Sequence, residues 1–381
     1  MHNLSMTLAV LHVCLSKGWG GLEQYPLSLA SELVAQGVVV HYWALQGARF
    51  AQKAHALNLS VRTFSGRWDL LLRLLALRSW LRSRDIQVIH FHKSSDLRLV
   101  PLLSWLMPDI RLVFTEHMNA KRPKHSFYHR WVYKCLHQVI AISDYSLANN
   151  LRALPLKSKQ IQRLYAGINL QVFRPSLSLD DREHLRTSLG LQSEDIACCL
   201  PGRISPGKGH AVFVDAVVLW AQQHQGPGRA HAFVVGGFLA ADGADETLVA
   251  QLQARIRKLG AEHLLSFTGY SSNLHQLLQA MDMVCIPSTQ EAFGLAVVEA
   301  MALGLPVVGS DSGAIPEILG HNGEYGLLAE PNSPVSFAQA FQQLAASPAL
   351  RQSIGQQALA RVQSTFDLKD HVSRLLHIYQ P

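Results

Sequence analysis

Charge is scarce in this chain: Asp, Glu, Lys and Arg make up 16% of its 381 residues, against 48% hydrophobic residues. That balance is globular, and the length suits two domains of ordinary size. Yet no apolar run reaches the roughly 18–20 residues that a membrane-spanning helix needs. Cysteine is also sparse. Cys14, Cys135, Cys198, Cys199 and Cys285 are odd in number and form no Cys-x-x-Cys pair. This argues against a disulfide framework or a zinc ribbon and for reduced core thiols in a cytosolic protein. Asp-x-Asp pairs are absent from the expected strand ends, Asp180-Asp181 fall in a polar connection, and no His, Cys or carboxylate group has metal-ligand spacing. Any bound phosphate must then be neutralised by basic side chains and helix N-termini. Gly-x-Gly-x-x-Gly is missing, so no dinucleotide cofactor is indicated, and no Walker loop or repeat of 20–50 residues is present. The start, Met1 to Thr7, lacks a basic region, so Leu8–Leu15 reads as a buried strand rather than a signal peptide.

What charge there is lies unevenly. Residues 1–175 hold 22 Lys and Arg against 8 Asp and Glu, an excess of 14; residues 176–381 hold 12 against 19, a deficit of 7. A basic half beside an acidic half points to an anionic partner for the first half. Nucleic acid ranks low, because no recognition motif is visible and the second half is acidic.

Strand and helix patterns alternate from end to end, which predicts a doubly wound α/β architecture. The first series runs through Leu8–Cys14, Val38–Ala44, Val61–Phe64, Val88–Phe91, Leu112–Thr115 and Gln138–Ile142, with a helix over Gln24–Gln36. The pattern breaks near Phe173-Arg174-Pro175. A polar connection over Ser176–Asp181 and a helix over Arg182–Leu189 follow. The second series comprises Ile196–Leu200, Ala232–Gly236, Leu265–Thr268, Met283–Ile286 and Pro306–Gly309, and an amphipathic helix, Phe366–Tyr379, closes the chain. We therefore expect Rossmann-like domains over 1–175 and 176–363, facing across a cleft, with 364–381 returning to the first. Ligands in such sheets bind at strand carboxyl ends.

Chemistry-bearing residues gather at those ends. Glu291 follows the strand Met283–Ile286, and Glu299 is the only charge on the apolar helix Leu295–Leu303. A buried carboxylate needs a partner, so Glu299 should have one. The helix start, Phe293-Gly294-Leu295, offers N–H groups suited to a phosphate. Arg203 and Lys208 stand in the Gly-rich segment after Ile196–Leu200, where a guanidinium fork and a mobile ammonium could hold a diphosphate or simply be solvated. Gly20 and Gly21 open the first helix and could face an anion. His117 ends another strand and could meet a sugar hydroxyl or a departing phosphate, although with 19 histidines in the chain any one is more often structural. His90 and His92 share that ambiguity. The arginines of Arg67–Arg84, interleaved with Leu and Trp, and the stretch Lys121-Arg122-Pro123-Lys124-His125 could meet an anionic membrane face; a core-packing helix with a solvated edge is the plainer reading of Arg67–Arg84.

Taken together these residues resemble the retaining family 4 glycosyltransferases of GT-B fold. Glu291 to Glu299, followed by Ala-Met-Ala-Leu-Gly-Leu-Pro-Val-Val, is similar to that family's E-x7-E signature, and Gly202-Arg203 through Lys208-Gly209 to its donor-phosphate motif. Gly20-Gly21-x-Glu23, Val139 to Ser143, Ala166-Gly167-Ile168-Asn169 and Glu324 to Leu328 support the match; the family's Asn-Gly-Ile-Asp is replaced by Ala-Gly-Ile-Asn. The resemblance implies that Glu299 binds the donor ribose and Glu291 the transferred sugar, with the N–H groups of Phe293, Gly294 and Leu295 at the sugar or diphosphate. It further places Arg203 and Lys208 on the leaving diphosphate, Gly21 near it and His117 beside the sugar. It implies a nucleotide-sugar donor, UDP-sugar first, no metal and no other cofactor. The acceptor it suggests is a lipid-linked or phosphorylated glycan, as in lipopolysaccharide synthesis, met at the cytosolic face of the inner membrane. A GT-B sugar-nucleotide epimerase and a non-catalytic membrane-associated binding protein are the alternatives.

Overall fold

In the computed structural model, residues 7–120, 122–239, 243–271 and 273–380 are described. The opening residues Met1 to Met6 and Lys121 of the basic stretch lie outside them. The chain divides into two units, Met1–Gly167 with Leu368–Pro381, and Ile168–Asp367.

The strands of the first unit are β1 (Ala9–Cys14), β2 (Val39–Leu45), β3 (Ser60–Phe64), β4 (Val88–Phe91), β5 (Arg111–Glu116), β6 (Gln138–Ala141) and β7 (Ile161–Arg163). They form one parallel sheet in the order β3-β2-β1-β4-β5-β6-β7. Side chains alternate across a strand with period two. One face carries Leu11, Val13, Ile89, Phe91, Leu112 and Phe114 into the apolar core. The other carries His12, Tyr42, His90 and Thr115, which are also fully buried. The closing helix Leu368–Tyr379 belongs to this unit. Its Tyr379 hydroxyl lies 2.7 Å from His90 Nδ1, and Arg111 Nε donates to the Ile378 carbonyl at 2.9 Å.

The second unit holds β8 (Ile196–Pro201), β9 (Ala230–Val235), β10 (Leu265–Gly269), β11 (Met283–Ile286), β12 (Val307–Ser310) and β13 (Leu327–Ala329), parallel in the order β10-β9-β8-β11-β12-β13. In both sheets a central strand pair marks where strand order reverses, the usual ligand position of doubly wound folds. Those pairs are β1/β4 and β8/β11.

The local differences from expectation have identifiable causes. The helix expected over Gln24–Gln36 is two helices, Gly21–Ser28 and Ala30–Ala35, interrupted at Leu29. Pro26, which has no N–H to give, lies just before the break. Arg67–Arg84 likewise divides at Arg73 into Arg67–Leu72 and Leu74–Ser83. The helix expected from Arg182 starts at Leu179, because Ser178 caps it by accepting from Asp181 N at 3.1 Å. Asp180 and Asp181 therefore sit in a first helical turn rather than in a loop. That helix is anchored by Arg186, 1% exposed, whose guanidinium donates to the Ala280 carbonyl and to Asp282 at 2.9 and 3.0 Å. Four of the five cysteines are buried and all five are free thiols. No helix among the described residues is long and apolar enough to cross a membrane.

Candidate active site

In the second unit, loops after three neighbouring strands lock together. The loop after β8 runs through Arg203 and Lys208 to Gly209, which opens the helix His210–Gln223 at φ 76°. A Cβ at Gly209 would come within 2.4 Å of the Pro287 carbonyl oxygen, so only glycine lets this loop press on the end of β11. Thr289 N donates to the Gly207 carbonyl at 3.3 Å across the same seam. From the loop after β12, Ala314 N donates to the Glu291 carbonyl at 3.0 Å and Ser312 Oγ to the Thr289 carbonyl at 2.8 Å.

This packing brings together two residues 83 apart in sequence: Lys208 Nζ lies 2.6 Å from Glu291 Oε1. The lysine is 38% exposed and the glutamate 17%, so the pair is open to solvent on one side and contributes about 1 kcal/mol or less to stability. Its consequence is positional, because it holds an ammonium and a carboxylate together at the ends of the neighbouring strands β8 and β11. Among the described residues no hydrogen bond or ion pair joins Arg203 to this pair; it is exposed, and a Cβ at Gly243 would meet its guanidinium at 3.2 Å.

Beyond Glu291, Phe293 is buried and packs edge-on against Phe366, with ring centroids 5.7 Å apart. Gly294 then takes φ 106°, a conformation that side chains rarely adopt, and caps the helix Leu295–Ala302. The first N–H groups of such a helix have no intrahelical acceptor. Val297, Val298, Ala300, Met301 and Ala302 bury that helix, as its apolar sequence predicts. Glu299 is half-buried on it, and burial pushes its carboxyl up to about 7. The partner expected for Glu299 is not a protein group: no hydrogen bond or ion pair to it occurs among the described residues.

In the first unit, Gly20 is extended and precedes the helix Gly21–Ser28. The buried carboxylate of Glu23 folds back over this turn, since a Cβ at Gly18 would meet its Oε1 at 3.2 Å. The turn's positive end thus faces a carboxylate of its own chain. His117 follows β5. Burial, with a contribution from His371, pushes its ring down to about 3, so it is a neutral imidazole at ordinary pH. Its neighbour Glu116 is buried, accepts from Met118 N at 3.1 Å, and is pushed up to about 7 by burial.

His117 is not alone, and here the sequence reading fell short. His92 Nδ1 lies 3.2 Å from His117 Nε2, and His92 Nε2 lies 2.9 Å from His12 Nδ1. His90 bridges Tyr379 and Thr115, each at 2.7 Å. His371 Nδ1 donates to the Tyr165 carbonyl at 2.5 Å, which leaves its Nε2 to accept from the Tyr25 hydroxyl at 2.7 Å. The available signal was period two: His12, His90 and His92 fall on one side of β1 and β4 and its continuation.

The arginine-rich helices resolve into two faces. Leu70, Leu77 and Leu81 are buried, whereas Trp68, Leu72 and Leu75 are exposed beside Arg73 and Arg82. Trp105, Phe127 and Trp131 of the same unit are also exposed.

Two family models match the chain: Glycosyltransferase Family 4 over residues 19–172 and Glycosyl transferases group 1 over residues 181–361. Among curated relatives, a D-inositol 3-phosphate glycosyltransferase of Jonesia denitrificans is 30% identical over 49% of this chain and 44% of its own length. The match thus spans less than half of that relative. The lipopolysaccharide core biosynthesis mannosyltransferase LpcC of Rhizobium leguminosarum bv. viciae is 28% identical over 78% of each chain. Among solved structures, a glycosyltransferase of Rickettsia africae superposes with a TM-score of 0.88 at 19% identity, covering 98% of each chain. Anabaena HepE in complex with UDP-glucose gives 0.81 at 23% identity, over 97% of this chain and 99% of that one. At these identities the superpositions establish the fold.

Proposed function

The chain belongs to the family 4 glycosyltransferases, a retaining, metal-independent group of GT-B fold, and from that premise we propose that it moves a sugar from a UDP-sugar to a lipid-linked or phosphorylated glycan acceptor. The observation that carries the donor site is the meeting of Lys208 and Glu291 beside the glycine-opened helix that bears Glu299.

Each group has a task suited to its setting. Glu299, half-buried with no protein partner among the described residues, accepts hydrogen bonds from the two ribose hydroxyls. Glu291 accepts from hydroxyls of the transferred sugar, and the N–H groups at Phe293, Gly294 and Leu295 meet the sugar or diphosphate. Lys208 and Arg203 stabilise the charge that grows on the leaving diphosphate as the glycosidic bond breaks, the largest electrostatic demand of the reaction. Lys208 does this by turning from Glu291 toward phosphate, which an exposed ammonium on a flexible stem can do. The departing phosphate takes the acceptor's proton on the face it leaves, so configuration is retained. The carboxylate-pair scheme of glycosidases is not needed. In the first unit, Gly20 and Gly21 are assigned to the diphosphate and neutral His117 to the sugar.

For the acceptor, support comes from the excess of basic residues in 1–175, from the exposed Trp68, Leu72, Leu75, Trp105, Phe127 and Trp131, and from the lipopolysaccharide and phosphorylated-inositol substrates named for the relatives. Basic charge with exposed aromatics suits peripheral attachment to an anionic membrane. This reading places the protein at the cytosolic membrane face.

A thermal-shift panel of nucleoside diphosphates and their sugars tests the donor assignment, since a ligand that binds only the folded state raises its apparent stability. We expect UDP and at least one UDP-sugar to raise Tm. A flat response to the UDP, GDP and ADP series, with no hydrolysis of any sugar nucleotide, would remove the reading.

A further inference from the structure

Three histidines of the first unit form a continuous hydrogen-bonded line: His12 Nδ1 to His92 Nε2 at 2.9 Å, then His92 Nδ1 to His117 Nε2 at 3.2 Å. His12 and His92 are buried, and His117 is half-buried at the end of the line. The two terminal nitrogens are His12 Nε2 and His117 Nδ1. The first is buried with no hydrogen-bond partner among the described residues. His12 instead stacks on Tyr42, with ring centroids 5.4 Å apart.

Proton counting limits the line to two states. A neutral imidazole carries one N–H and one lone pair. Burial holds His12 and His117 down to about 3 and His92 well below its ordinary value, so all three rings are neutral. Each contact needs one N–H facing one lone pair. Either every ring is protonated on Nδ1, or every ring is protonated on Nε2. In the first state His12 Nε2 is a buried lone pair, and His117 Nδ1 is a donor. In the second His12 Nε2 is a buried N–H with nothing to accept it, and His117 Nδ1 is an acceptor. Orphaned buried N–H groups are rarer and costlier than unfilled lone pairs, which selects the first state.

We infer that His12 and His92 are positioning residues that fix His117 as its Nδ1–H tautomer, making its outer nitrogen a hydrogen-bond donor to an oxygen of the bound sugar or phosphate. The identity of that oxygen rests on the glycosyl-transfer reading; the tautomer does not. A metal site at His12, His90 and His92, whose nitrogens lie within 4.8 Å of one another, fits less well. His90 and His92 have both nitrogens engaged by neighbouring groups, which leaves His12 Nε2 as the one unpartnered nitrogen of the three.

Long-range proton–nitrogen NMR of the full-length protein labelled with 15N-histidine reads the tautomers without substrate. Nδ1–H signatures at His12, His92 and His117 are expected; an Nε2–H signature at His117 overturns the inference. Stoichiometric metal in the purified protein, bound through these rings, overturns it too. In His12→Asp an acceptor-only carboxylate stands where the Nδ1 donor stood, so His92 must donate from Nε2 and we expect His117 to shift to Nε2–H. The kcat for transfer should fall about tenfold, the value of one hydrogen bond, with the donor KM unchanged. In the isosteric His12→Asn the amide N–H stands where Nδ1 stood, and both tautomer and kcat should return toward wild type. Equal loss in the two variants, with the His117 tautomer unmoved, would mean that His12 only fills space. If His12→Asp does not fold, the wild-type spectrum and His12→Asn still decide. Absence of sugar transfer beside an Nδ1–H spectrum would count against the proposed function and leave the tautomer inference standing.

Discussion

Glu299 should make both stability and donor affinity depend on pH. Its carboxyl is pushed by burial from 4.5 to about 7. The unfolded chain releases this proton near 4.5, whereas the folded chain holds it to about 7. Between those values the folded state binds more protons, so stability falls as pH rises and the full cost is reached above about 7. A shift of that size corresponds to about 3 kcal/mol. Glu299 is half-buried, and solvent screening brings the expected cost to about 2 kcal/mol. Glu299→Gln is uncharged throughout, so it should match wild type near pH 4 and exceed it by about 2 kcal/mol at pH 8. Urea unfolding at a series of pH values measures this directly. In the proposed donor site the ribose hydroxyls meet Glu299 and prefer its carboxylate, so binding should release a proton below pH 7. UDP-glucose, whose phosphates do not titrate in this range, is a suitable calorimetric probe: its affinity should weaken by up to about tenfold per pH unit below 7 in wild type and be weak and pH-independent in Glu299→Gln. Parallel stability curves for the two proteins from pH 5 to 8, with one affinity at all pH values, would show that Glu299 neither holds its proton through burial nor meets the ribose.

Other residues give sharper structural tests. Gly209→Ala places a Cβ against the Pro287 carbonyl at positive φ, and should cost about 1–3 kcal/mol and displace Lys208; unchanged stability and transfer would contradict the locked-loop geometry. Arg186→Met leaves Asp282 with one fewer cation in a buried setting, and a loss of about 3 kcal/mol is expected in chemical denaturation. A loss under 1 kcal/mol would show that Arg182 alone suffices. Sedimentation with anionic vesicles should fall with added salt and fall further in Phe127→Ser with Trp68→Ser, whose side chains are 87% and 80% exposed in wild type. Partitioning indifferent to both would remove the membrane argument. Extended chelation with EDTA should leave transfer at its full rate, and a loss restored by a divalent cation would contradict the metal-independent scheme.

Most of the fold is legible because parallel strands buried on both faces read as apolar runs. β4 and β11 fall where the sequence places them, at Val88–Phe91 and Met283–Ile286. The edge strands β7 and β13 do not announce themselves: each is three residues long and only partly buried. Helix interruptions at Leu29 and Arg73 also escape, because the apolar periodicity runs on across them. At the site, motif spacing identifies Glu291, Lys208 and Glu299 as chemistry-bearing positions, but the Lys208–Glu291 contact depends on loop packing between separate strands. The histidine line is the clearest omission. Each histidine taken singly invites a structural explanation, and only the register pairing His12 with His90 shows that β1 and β4 turn them to one face.

In the proposed donor site, the end of β8 and the end of β11 together hold a sugar nucleotide. Steady-state transfer by Arg203→Ala and Lys208→Ala, with fold checked by circular dichroism, tests it most directly. Loss of a leaving-group cation should lower kcat by about a hundredfold or more in each, with Tm near wild type. Wild-type kcat in both variants would show that neither cation serves the leaving diphosphate.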